Sequence, residues 1–213
     1  MKTVIYLVRH GQSEGNKYSR CLGHTDLSLT DLGMEQARLT ADHLRDVKID
    51  AIYSSDLKRA YETALPHAQY RNMNIYTSKE LREMYFGEWE NQCVDDLRAK
   101  FPDLFNNGWR AGFGLFTIPG GENTYDAACR MEREVLRISA MHPDKTILIA
   151  SHAAVIRALW CKISGFAPED WAEKLPFPSN SSYSILESDG ESLYPLSFSN
   201  DGHLGDLVTT VIK

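Results

Sequence analysis

Residues 3–11 read TVIYLVRHG: six β-branched, aromatic or aliphatic side chains in a row, then arginine, histidine and glycine. An apolar run without alternation is the mark of a strand buried on both faces, as in a parallel sheet covered by helices. Ligands of such sheets gather beyond the carboxyl ends of the strands. Arg9 and His10 therefore stand where a site is expected. The same run is too short for a signal-peptide core or a membrane span, which makes the cytoplasm the expected location.

Further strands are read at AIYSS (51–55), NIYTS (74–78) and TILIAS (146–151). Between them, Thr30 can cap a helix whose Ala37, Ala41, Leu44 and Val47 form one apolar stripe. A second helix runs from Asp56 until Pro66 kinks or ends it, and a third carries Ala128, Met131, Val135 and Ile138 on one side. Residues 153–163 make a fourth. Two weaker strands, Tyr183–Glu187 and Leu193–Ser197, should extend the sheet at one edge. The alternation predicts an α/β fold, a three-layer sandwich with a mostly parallel central sheet and helices on both faces.

Residues of about 84–124 differ in character: Trp89, Phe101, Phe105, Trp109, Phe113 and Phe116 are interleaved with glycines and prolines. They read as an inserted lid. Most of the rings should form a small satellite core, with one or two lining a pocket, and an aromatic lid surface could also serve as a homodimer contact. No repeat or linker divides the 213 residues, so one domain over 1–213 is expected.

A net charge of −6 leaves no electrostatic footprint for nucleic acid or an anionic membrane, and any anionic ligand must be held locally. Cys21, Cys93, Cys129 and Cys161 are scattered without a CxxC pair, which predicts free thiols.

His10 and His152 both follow strands, in LVRHG and IASHAAVIR. Gly11 permits a sharp turn, and the amides of that loop and of the helix starting near Ala153 could point at an anion. Arg9, with Arg59 one turn into the helix after the second strand, adds two guanidiniums whose forked donors suit phosphate oxygens. His10, His152 and Glu83 would make a metal-ligand set, but the arginines would repel a divalent cation, so an anion is the better guest. His24, His43, His67, His142 and His203 are read as structural.

Six motifs, RHGQSEGN, DLSLTDLGMEQA, SSDLKRAYETA, LREMYFGEWE, PGGEN and SHAAVIR, occur in an order and spacing that resembles the histidine phosphatase superfamily, also called phosphoglycerate mutase-like. The resemblance runs from Val4 to about Arg157. It implies that His10 is the nucleophile, that Arg9, Arg59 and His152 form the phosphate pocket with it, that Asn16 adds a side-chain donor, and that Glu83 is the proton donor. It implies no metal and no cofactor. Arg20 and Gly23 match a loop bordering the pocket, where they touch substrate or order the turn. Glu122 caps the following helix or pairs with a base, whereas Glu80, Glu88 and Glu90 fit solvated carboxylates. Ala153 and Ala154 replace the glycines of many relatives, adding two methyl groups beside the phosphate site that narrow it or shift the helix start. Ser28 replaces a common proline, which affects only the rigidity of its turn.

These readings imply a metal-independent phosphatase acting on small phosphorylated molecules through a phosphohistidine. The alternatives are a cofactor-dependent phosphoglycerate mutase, which returns the phosphoryl group to its substrate, and a non-catalytic phosphate-binding module.

Overall fold

A computed structural model describes residues 2–210. Six strands form one sheet in the order β3-β2-β4-β1-β5-β6: β1 (Thr3–Arg9), β2 (Ala51–Ser55), β3 (Ile75–Ser78), β4 (Thr146–Ser151), β5 (Tyr183–Ser188) and β6 (Leu193–Asn200). The first four are mutually parallel where they pair, and β5 and β6 are antiparallel additions beside β1. The expected α/β architecture is thus present, with the two weaker strands at one edge.

Alternate strand residues feed two separate cores. Ile5, Leu7, Ile147 and Ile149 face one side, and Val8, Ile52, Leu148 and Ala150 the other. This two-sided burial is why the central strands lack polar alternation. Helix α2 (Asp31–His43) follows α1 (Glu14–Lys17) and is capped by the Thr30 hydroxyl accepting from the Gly33 amide. It ends one turn earlier than its stripe suggested: Leu44 caps it and stays buried, while Val47 lies in the next turn.

Helix α3 (Lys58–Arg71) has no cap of its own, and the Asp26 carboxylate accepts the Lys58 amide at 2.7 Å instead. Pro66 does not end it. Ala60, Ala64 and Ala68 pack it onto the sheet across the proline, and Arg71 pins its far end to the carbonyls of Leu44 and Val47. Tertiary packing here outweighs the roughly 3 kcal/mol disfavouring proline within a helix.

On the opposite face lie α5 (Thr124–Ala140) and α6 (Ala153–Ile163), preceded in sequence by α4 (Val94–Lys100) and followed by α7 (Trp171–Lys174). The aromatic insertion belongs to this layer. Trp89, Phe105, Trp109, Phe113 and Phe116 pack on one another and are continuous with the main core, so they form no satellite. These five rings are buried within the chain, whereas Phe101 is partly buried and Tyr85 is exposed. A π-helical segment, Leu104–Ala111, carries Trp109. Among the described residues no helix is long and apolar enough to cross a membrane.

Candidate active site

Arg9 and Ser151 are register partners at the ends of β1 and β4, so His10 and His152 leave the sheet side by side. The chain then turns to opposite faces, α2 and α3 on one and α6 on the other, which opens a crevice at the strand ends. The two imidazoles meet edge-to-face with centroids 5.2 Å apart.

The Nδ1 atom of His10 lies 2.7 Å from the Gly11 carbonyl, an atom that can only accept. Nδ1 therefore carries the proton and Nε2 keeps its lone pair. Burial, then the charges of Arg59 and Arg9, push the His10 pKa well below its usual range, which keeps the ring neutral at pH 7. His152 is lowered likewise, first by burial and then by Arg59 and His10.

Both arginines are fully buried. Arg9 donates one Nη to the Pro178 carbonyl, and Arg59 donates to the carbonyls of Thr25 and Gly23. Burial lowers them to about 9 and about 10, which still leaves them cationic at neutral pH. Among the described residues, Nε and the second Nη of Arg9, Nε of Arg59 and both ring nitrogens of His152 have no hydrogen-bond partner. Buried polar atoms are rarely left so. An oxyanion beside His10 could accept from the guanidinium nitrogens and from the one protonated ring nitrogen of a neutral His152.

Glu83 brings a carboxylate to the same cleft from the loop after β3. Its Oε1 accepts from the amides of Met84 and Val155 at 3.0 and 2.9 Å, and Oε2 from that of Ala154 at 3.1 Å. Of the amides opening α6, those of Ala154 and Val155 are thus committed to a side chain of this protein rather than to an outside anion. The loop amides are also committed: Gly11 donates to Thr63 Oγ1 and Gln12 to Gln36 Oε1.

Arg9, His10, Asn16, Arg20, Gly23, Arg59, Glu83 and Ala153 line one cleft. Gly11 and His152 do not line it, His152 lying fully buried behind His10. A Cβ on Gly11 would meet the Gly33 carbonyl oxygen at 2.4 Å, so its place is a close approach of the loop to α2. Gly23, at φ +49°, turns its carbonyl to Arg59. Arg20 stands exposed at the rim and bonds the Asn91 carbonyl. The apolar wall comes from Leu22, Phe86, Val94, Trp109 and Phe177, with Ala154 beside Ala153.

Several supporting groups were not legible beforehand. Glu90 is no solvated carboxylate: it accepts from the amides of His24, Thr25 and Phe86 and ties the Gly23 loop to the insertion. His24 donates Nε2 to the Glu83 carbonyl. Glu122 pairs with Arg130, as one reading had it, and the helix cap is Asn123. Among the described residues no three His, Cys, Asp or Glu side chains are grouped to hold a metal ion.

The geometry gathers buried guanidiniums and a carboxylate beside a neutral, buried imidazole at the strand ends. The family model of the histidine phosphatase superfamily (branch 1) matches residues 5–201. Phosphoserine phosphatase 1 of Hydrogenobacter thermophilus is 30% identical over 210 residues, 98% of each chain. Bacillus stearothermophilus YhfR superposes with a TM-score of 0.88 at 30% identity, covering 95% of this chain and 99% of its own. Mycobacterial glucosyl-3-phosphoglycerate phosphatase, in its complex with VO3, gives 0.85 at 27% identity over 92% and 98%. The chain belongs to the histidine phosphatase superfamily.

Proposed function

We propose that this protein hydrolyses small phosphate monoesters by way of a phosphohistidine on His10. The observation that supports the reading most is the three partnerless guanidinium nitrogens of Arg9 and Arg59, which line one cleft with His10, whose neutral ring keeps Nε2 free and lies 5.2 Å, centroid to centroid, from the unpartnered His152 ring. Nε2 attacks phosphorus in line with the ester oxygen. The guanidiniums and His152 stabilise charge on the equatorial oxygens. Glu83 gives its proton to the departing alkoxide, and then takes one from the water that cleaves the phosphohistidine. Phosphatase relatives that act on phosphoserine and on a glucosylated phosphoglycerate support hydrolysis of small substrates.

The leaving group would lie against Leu22, Phe86, Val94, Trp109 and Phe177. The four cysteines, free of disulfides, suit the reducing cytoplasm. The test is release of p-nitrophenol from p-nitrophenyl phosphate by the native protein beside His10→Ala. Loss of activity in the variant is expected, and equal release by both would overturn the reading. With 3-phosphoglycerate and a trace of 2,3-bisphosphoglycerate, free phosphate rather than the isomer is expected.

A further inference from the structure

Asn180 is fully buried in the turn before β5, and its four hydrogen bonds have orientations set by chemistry. Its Nδ2 lies 3.1 Å from the carbonyl oxygen of His10, which can only accept, so this atom is the amide nitrogen. The same Nδ2 lies 3.1 Å from Asn16 Oδ1. Its Oδ1 accepts from the Thr209 hydroxyl at 3.1 Å, and its backbone amide donates to the Thr209 carbonyl at 2.8 Å. Thr209 Oγ1 is in turn held as an acceptor by Gln36 Nε2.

Asn16 is fixed from two sides. The Ser13 amide, an obligate donor, reaches Asn16 Oδ1 at 3.1 Å and the Ser13 hydroxyl reaches it at 3.0 Å, while Asn180 supplies a third donor from the opposite segment. With the oxygen committed, Nδ2 of Asn16 meets no acceptor among the described residues while the side chain lines the cleft. Flipping the Asn16 amide would turn its nitrogen toward two N–H groups that cannot accept, those of Ser13 and Asn180, and its oxygen toward the anion. The turn that presents Asn180 is strained, with Ser181 at φ +55° and its amide on the same His10 carbonyl. A non-glycine residue there costs on the order of 1 kcal/mol, and such strain collects where geometry serves a site.

We propose that Asn180 is a positioning residue for the phosphate site: it locks the Asn16 amide with its nitrogen toward the bound oxyanion, and Thr209 locks Asn180. The inference rests on the reading of Asn16 as a phosphate donor. It predicts that the far end of the chain helps to set anion affinity at the end of β1.

The experiment is a double-mutant cycle read as the inhibition constant of inorganic phosphate against p-nitrophenyl phosphate hydrolysis. Asn180→Ala and Asn16→Ala should each weaken phosphate by roughly tenfold, the scale of one hydrogen bond to a charged group. The double variant should be no weaker than Asn16→Ala by more than about twofold. Losses that multiply would show Asn180 acting only on the fold, and would overturn the inference alone. An unchanged constant in Asn16→Ala would overturn it together with the phosphate reading of Asn16. Should Asn180→Ala fail to fold, Thr209→Val and Thr209→Ser decide: a several-fold weakening by valine that serine reverses is expected, and equal constants for both overturn the proposal.

Discussion

The proposed attack of His10 on phosphorus requires a neutral imidazole with Nε2 unprotonated, and the surroundings of the ring favour both conditions. The Gly11 carbonyl claims the proton of Nδ1, while burial beside two guanidiniums disfavours a second proton. Glu83 is placed with equal definition. Its oxygens are unequal, Oε1 facing two amides and Oε2 one, so a glutamine there would turn its NH2 toward Ala154 to minimise donor conflict. Glu83→Gln should therefore lower kcat by roughly 10²- to 10⁴-fold, the range for general acid catalysis, while the phosphate inhibition constant moves by less than about threefold. Steady-state kinetics with phosphate as inhibitor separate the two. Equal losses would refute the acid role.

At the level of elements, the site is the meeting of two parallel strand ends with the helices they launch. Arg9, His10, Arg59 and His152 were legible because a strand terminus and the first turn of a helix are local signals, read from a run of apolar residues and its end. The groups that aim them were not. Thr63, Glu90, Asn180 and Phe177 reach the site from distant loops and helices, and nothing periodic marks a hydrogen bond between such segments. The Ala154 and Val155 amides misled for the same reason, since their partner Glu83 lies some seventy residues earlier. Gly11 shows how tightly these elements meet. A methyl group there would strike the Gly33 backbone of α2 at 2.4 Å, with no side chain to move aside. Gly11→Ala should cost about 1–3 kcal/mol, as overpacking does, visible as a lower urea midpoint. An unchanged midpoint would mean that the loop and helix separate freely.

For the whole molecule, the sheet carries two cores, and the insertion thickens one of them into the wall of the cleft. The insertion was legible as aromatic but not as part of the main core, because continuity of packing is a three-dimensional property. Keeping neutral histidines inside this fold has a consequence in acid. His67 is fully buried with neither ring nitrogen partnered among the described residues, and burial lowers it to about 3. The unfolded chain takes up that proton below about pH 6.5, so the folded state binds fewer protons in between. Stability is thus intact at neutral pH and falls as pH drops from about 6.5 toward about 3. His10 and His152 act in the same direction. His67→Leu should reduce the slope of unfolding free energy against pH across this window by up to about 1.4 kcal/mol per pH unit, measured by urea titration at successive pH values. Parallel curves for the two proteins would show that His67 does not titrate with unfolding.

The most direct measurement stops the reaction with p-nitrophenyl phosphate in the first turnover and maps the protein-bound phosphoryl group by mass spectrometry under alkaline conditions. The account predicts a phosphoryl group on Nε2 of His10, formed with the first release of p-nitrophenol and absent from His10→Ala. A phosphoryl group on another residue, or full turnover by His10→Ala, would contradict it.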